Sequence, residues 1–185
     1  MRKLILIACV LFLCAGCSVK KNIIQDLNLS PNDMMSYETM NEPSDRFYEL
    51  TLKEALRLFE EEGSGILLIS RSTCSHCLNA VPVLAEVADK HDLTIYYVDC
   101  GKGLESEDLE KLEIYAKDVL GARGVMVPIV FSIVDGKALG KHIGTVSDED
   151  GLLTDEQWDK TVQTYERLLK DWIKQKRVSS TLFLI

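Results

Sequence analysis

The chain has 185 residues and carries 29 acidic against 21 basic side chains, a net charge of −8 at neutral pH. That length suits one domain plus a tether and can bury about 70% of the surface of the unfolded chain. The acidic balance argues against a nucleic-acid partner and against adhesion to anionic lipid heads, since both need cationic faces.

The first residues read as an export signal. Met1-Arg2-Lys3 is basic, and Leu4 to Leu13 is apolar but too short to span a bilayer comfortably. In Cys14-Ala15-Gly16-Cys17, small residues before a cysteine resemble the bacterial lipobox, whose cysteine is diacylated and becomes the new N-terminus. Cys14 stands where that pattern usually has Leu. The expected layout is a lipoprotein-type signal peptide over 1–16, lipidation at Cys17, a tether over 17–45, a folded domain over 46–178 and a C-terminal tail over 179–185. A simple secretory signal or an uncleaved anchor is the alternative. Cleavage before Cys17 leaves 169 residues and takes Arg2 and Lys3 with it, moving the net charge from −8 to −10. Attachment then depends on the lipid, and the protein is expected outside the cytoplasm, anchored to a bacterial cell membrane.

Ser30-Pro31-Asn32-Asp33 and Glu42-Pro43-Ser44-Asp45 are turn signals in a polar stretch without a sustained period, which reads as tether. The alternative is that Met34, Met35, Tyr37 and Met40 pack on the domain. Phe47 to Leu50 suits a short strand. Thr51 with Glu54 forms a capping box for a helix whose apolar stripe is Leu52, Ala55, Leu56 and Phe59. Gly65-Ile66-Leu67-Leu68-Ile69 is a nearly continuous apolar strand, the pattern of a sheet covered on both faces. The helical pattern after it turns Val81, Leu84, Ala85 and Ala88 inward and contains Pro82, where a bend is expected.

Leu93 to Asp99 is the next strand, parallel to the central one after a helical crossover. Leu104 to Leu120 reads as one amphipathic helix with Leu109, Leu112, Tyr115, Ala116 and Val119 on its apolar face. Ile129 to Val134, the turn Asp135-Gly136-Lys137 and Ala138 to Ile143 make a hairpin. An acidic loop over Ser147 to Asp155 leads to a last helix carrying Trp158, Val162, Tyr165, Leu168, Leu169 and Trp172, with Lys174, Lys176 and Arg177 at its end.

Chemistry concentrates in Cys74-Ser75-His76-Cys77, between the apolar strand and the helix that follows. Cysteines three apart at a helix start put the first sulfur beyond the helix end and the second one turn in, close enough to bond. Free N–H groups and the positive end of the helix dipole favour a thiolate there, so Cys74 is the expected attacking sulfur and Cys77 the resolving one. A lone CxxC also supplies half a zinc site.

With Pro82 five residues past Cys77, and Val127-Pro128 before the strand from Ile129, the chain resembles the thioredoxin superfamily from about Phe47 to Lys176. The resemblance implies an α/β thioredoxin-like fold: a central mixed β-sheet flanked by helices on both faces, here with an extra N-terminal strand and helix. It also implies that Val127-Pro128 is a cis bond packed against the sulfurs, offering backbone groups to an extended substrate. His76 matches oxidising members, in which a histidine stabilises the thiolate. Its alternative is an exposed helix-start residue without a role. The family's Trp before the first cysteine is Thr73 here, and its buried acid six residues before that cysteine is Leu68, which puts fast proton transfer to the second cysteine in doubt. Arg71 and Asp99 are replacements by position, or solvated charges. Cys100 is a third redox thiol, a glutathionylation site or a small packed hydrophobe, and His91 and His142 read as surface positions.

The expected function is an extracytoplasmic thiol–disulfide oxidoreductase acting on protein thiols and disulfides, leaning towards oxidase or isomerase, with Cys74, Cys77 and His76 catalytic. No cofactor and no metal site is expected. A reductase fed by a membrane redox partner and a non-catalytic thioredoxin-fold adaptor stay open. A loose resemblance to bacteriocin-export accessory proteins accompanies the second of these.

Overall fold

The computed structural model describes residues 27–146 and 151–174. The expected signal peptide over 1–16, the lipidation site Cys17 and the tail over 179–185 lie outside the described residues, as does the first part of the acidic loop, 147–150.

Alternation of side chains across a fully covered sheet organises the molecule. Six strands, β1 (Pro31–Asn32), β2 (Phe47–Glu49), β3 (Gly65–Ser70), β4 (Ile95–Asp99), β5 (Ile129–Val134) and β6 (Lys137–Ile143), lie in the order β1-β2-β4-β3-β5-β6. The strands β2, β4 and β3 are parallel, whereas β5 is antiparallel to β3, β6 to β5 and β1 to β2. Ile66, Leu68, Ile95, Tyr97 and Val130 enter a core beneath α2 (Ser75–His91) and α5 (Asp155–Leu168). Their neighbours Leu67, Ile69, Tyr96, Val98, Ile129 and Phe131 enter a second core beneath α1 (Leu52–Glu60), α3 (Ser106–Tyr115) and α4 (Lys117–Leu120). The period of two sorts one strand into both cores. Every residue of β3 is buried, as its apolar run requires. The fold is thioredoxin-like, a mixed sheet with helices on both faces; β2 and α1 are the expected N-terminal strand and helix, and β1 is a short edge strand beyond them.

Local signals act where expected. Both halves of the Thr51–Glu54 capping box form at α1, and Thr154 with Gln157 forms a second at α5. In the β5–β6 turn, Asp135 and Gly136 have φ of 48° and 74°, the left-handed pair that a tight hairpin needs. A Cβ on Gly136 would stand 2.9 Å from the Phe59 carbonyl oxygen, so the position demands glycine twice over.

Two expectations are corrected. The single helix over Leu104 to Leu120 is instead α3 and α4, broken at Ala116, whose φ of −99° and ψ of 9° leave the helical region. The break turns Leu120 inward, while Tyr115 stays 39% exposed and stacks on Phe59 with ring centroids 5.6 Å apart. The second correction concerns the tether over 17–45. From Pro31 onward it is part of the domain: β1 pairs with β2, and Met34, Tyr37 and Met40 are buried in the core beneath α2. Tight turns in succession, with Tyr37 N–H donating to the Met34 carbonyl (3.0 Å) and Met40 N–H to the Tyr37 carbonyl (2.9 Å), put all three on one side. A spacing of three over so few residues matches neither the strand nor the helix period.

This segment also repairs a defect in α2. Pro82 lacks the N–H that would bond the Leu78 carbonyl four residues back. The Thr39 hydroxyl donates to that carbonyl instead.

Candidate active site

Strand β3 ends at Ser70, and a short turn, with Cys74 N–H on the Arg71 carbonyl at 3.3 Å, delivers Cys74 as the N-cap of α2. Its backbone is extended (φ −104°, ψ 121°), and no side chain caps the first turn. The first-turn N–H groups of α2 are thus left without a side-chain acceptor beside Cys74. Cys74 is half-buried, whereas Cys77, one turn inside, is 0% exposed and belongs to the core beneath α2. Both carry free thiols. One sulfur is reachable by a protein partner and the other is not.

Cys77 has Cys74, the Ser70 hydroxyl and the Arg71 backbone as its polar neighbours. Burial, then the neighbouring Cys74, pushes the Cys77 thiol up, while Ser70 and Arg71 pull it down. Opposite the pair, the Val127-Pro128 bond is cis and Pro128 is buried. The Cys74 sulfur lies 3.9 Å from the Val127 carbonyl oxygen. Cys74, Leu78, Val127 and Leu153 are partly buried against the core beneath α2.

Of the residues singled out from sequence, Cys74, Cys77, Val127 and Pro128 thus converge. His76 shares their turn of helix and is half-buried, but it stands two after Cys74 and one before Cys77, spacings that do not face on a helix. Thr73 and Arg71 are exposed, and Leu68 is fully buried in the core beneath α2, with Tyr97 and Val130 beside it on the neighbouring strands. Asp99 accepts from the Gly101 N–H at 2.8 Å and so caps a short turn. Cys100 is half-buried against the core beneath α1, and burial raises its thiol, with Arg71 opposing. Among the described residues no three His, Cys, Asp or Glu side chains gather as metal ligands would. No helix among them is long and apolar enough to cross a membrane.

His91 and His142 are not the surface positions expected. The His91 side chain is 10% exposed and meets Glu166 at 2.8 Å, an oxygen that Lys90 also binds, joining the end of α2 to α5. The His142 ring sits edge-on to Tyr165, centroids 5.2 Å apart, and its Nε2 is buried with no hydrogen-bond partner among the described residues. Its strand pairs it with Val130, on the core face that α5 covers. Burial, assisted by Lys141, lowers its pKa below 6.5, against a raising hydrogen bond at Gly144. Its neutral form therefore contributes stability in full above about pH 6.5, lost as pH falls through the lower folded value. The stability advantage of the wild type over His142→Gln is expected to shrink between about pH 7 and pH 5. Urea unfolding across that range checks it, and a constant difference would refute the buried-neutral assignment.

The residues missed from sequence are Tyr37, Ser70 and Tyr97. The Tyr37 hydroxyl donates to Ser70 Oγ at 2.9 Å and lies 3.0 Å from the Tyr97 hydroxyl, all three side chains being buried. The polar end of the otherwise apolar β3 was the available signal for Ser70; nothing local marks the two tyrosines.

No protein-family model matches the chain. No curated protein sequence matches it significantly. Solved structures similar to it include a thioredoxin from Aeropyrum pernix, 19% identical over 64% of this chain and 83% of that one, with a TM-score of 0.40. Thioredoxin O2 from Arabidopsis thaliana in its oxidized state is 20% identical over 68% of this chain and 93% of that one (TM-score 0.44). Mitochondrial thioredoxin 3 from Saccharomyces cerevisiae, oxidized form, is 19% identical over 59% and 87% (TM-score 0.37).

Proposed function

We propose that this chain is a thiol–disulfide oxidoreductase that exchanges disulfides with protein substrates through Cys74 and Cys77. The observation that carries the reading is the asymmetry of the pair: one sulfur at the open mouth of a helix N-terminus, its partner sealed one turn behind. In reduction, the Cys74 thiolate attacks a substrate disulfide and forms a mixed disulfide. Cys77 then attacks Cys74, forms the intramolecular disulfide and releases the substrate thiol. In oxidation the same steps run backwards. The Val127 carbonyl, beside Cys74 on a buried Pro128, supplies a backbone acceptor for an extended substrate segment.

The direction we favour is oxidation or isomerisation, with His76 stabilising the reduced pair when protonated. The raised Cys77 thiol favours the opposite direction, reduction fed by a membrane redox partner, because a costly thiolate destabilises the dithiol's ionised form. We further propose that the domain works outside the cytoplasm, held to a bacterial membrane by lipid on Cys17. The spacing of the basic, apolar and small-residue segments before that cysteine supports this.

Equilibration of the pair with glutathione buffers measures its potential. A value of about −120 to −180 mV is expected for the oxidising role, and one near about −270 mV would assign reduction instead.

A further inference from the structure

The resolving sulfur is sealed from water, and the acid expected to assist it is replaced by Leu68. Cys77 must nevertheless pass through a thiolate, since the thiol is a poor nucleophile and a poor leaving group. Something inside the core has to receive that charge.

Three buried hydroxyls lead to it. Tyr37 donates to Ser70 Oγ and Tyr97 is left to donate to Tyr37, so the Ser70 hydroxyl keeps its own proton to offer, and Cys77 is the neighbour whose thiol Ser70 lowers. Each donation polarises the next, and in a dry core such a series is stronger than its separate bonds. The Arg71 backbone reaches the same sulfur. Resting on the oxidoreductase reading above, we infer that Ser70, aimed by Tyr37 and Tyr97, is the hydrogen-bond donor that holds the Cys77 sulfur as a thiolate during resolution of the mixed disulfide. Ser70 touches a reacting atom and is catalytic in that sense; the tyrosines are positioning residues acting through it.

The step balances without a further reactant. The Cys77 thiolate attacks the Cys74 sulfur, a Cys74–Cys77 bond forms and the bond from Cys74 to the substrate sulfur breaks. The substrate leaves as a thiolate and takes up a proton equivalent to the one Cys77 gave up. In the reverse direction Cys77 is the leaving group, and the same hydroxyl receives it.

The ionisable groups around Cys77 are Cys74 at the mouth, Tyr37 from the N-terminal segment with Tyr97 of β4 behind it, and Tyr165 from α5. Asp99 and Glu49 act on the tyrosines from the strand ends, and His142 lies beyond Tyr165. Burial raises all three phenols far above their ordinary value, so they remain neutral donors through the working pH range.

Two measurements on the full chain test the inference. In Cys74→Ser protein, iodoacetamide labelling of Cys77 is followed against pH by peptide mass, which separates it from Cys100 and needs no substrate. Adding Ser70→Ala is expected to move the labelling midpoint up by about one unit or more, with a smaller rise for Tyr37→Phe and recovery for Ser70→Thr. In protein with both active-site cysteines, release of a peptide from its mixed disulfide with Cys74 is expected to slow about tenfold or more in Ser70→Ala, while formation of that mixed disulfide keeps its rate. An unchanged labelling midpoint in Ser70→Ala overturns the inference whatever the enzyme does. A shifted midpoint in a protein whose wild type forms no mixed disulfide upholds the donor and refutes the oxidoreductase reading instead.

Discussion

Replacing Cys74 by Ser is expected to reduce disulfide exchange to the uncatalysed background, while Cys77→Ser captures substrates and does not release them. The difference follows from access. Cys74 is half-buried at the helix mouth and Cys77 is 0% exposed, so a protein disulfide can meet only the first. Removing Cys74 takes away the nucleophile that begins the cycle, and the buried sulfur cannot deputise. Removing Cys77 leaves the first attack intact but deletes the thiolate that would displace the product. Insulin reduction, with non-reducing gels for the trapped species, reads both effects. Full turnover by Cys74→Ser would refute the roles. Trapping that Cys77→Ser fails to produce unless Cys100 is also replaced would transfer resolution to Cys100, whose half-buried thiol lies on the same edge of the sheet.

The largest expected loss of stability comes from outside the region expected to fold. Tyr37→Ala removes a fully buried ring and leaves Ser70 and Tyr97 without their shared partner. Truncation of a buried aromatic costs about 3–5 kcal/mol, a large share of the roughly 5–15 kcal/mol that holds a domain folded. Tyr37→Phe keeps the ring and loses only the hydrogen bonds, costing about 1–2 kcal/mol. Urea titration of the two variants separates packing from polarity. A loss below about 1 kcal/mol for Tyr37→Ala would restore the reading of this segment as a tether.

Much of the fold was legible because its signals are local. The capping box at Thr51, the Asp135-Gly136 turn and the apolar run of β3 each depend on residues close together in the chain, and each formed as expected. The cysteine pair at the strand-to-helix junction was legible for the same reason. What escaped depends on distant partners. Tyr37 meets residues 33 and 60 positions away, so its place in the core has no periodic trace. His142 sits on a strand whose outer look comes from Lys137 and Lys141, and only the arrival of α5 makes its side of that strand an interior. The absence of an acid at Leu68 could be read directly, and Ser70 showed as the polar end of β3, but Tyr37, which comes to Ser70 from a remote turn, left no mark beside the cysteines.

The rims of the sheet bear on how copies behave when concentrated together. Among the described residues, β1 on one side contributes only two residues, the first a proline without an N–H, and on the other side β6 begins with Lys137 and carries a second lysine at 141. Neither border offers a long, uncharged row of free peptide groups to a neighbouring molecule. Wherever many of these domains gather on one surface, such borders resist their zipping into ribbons.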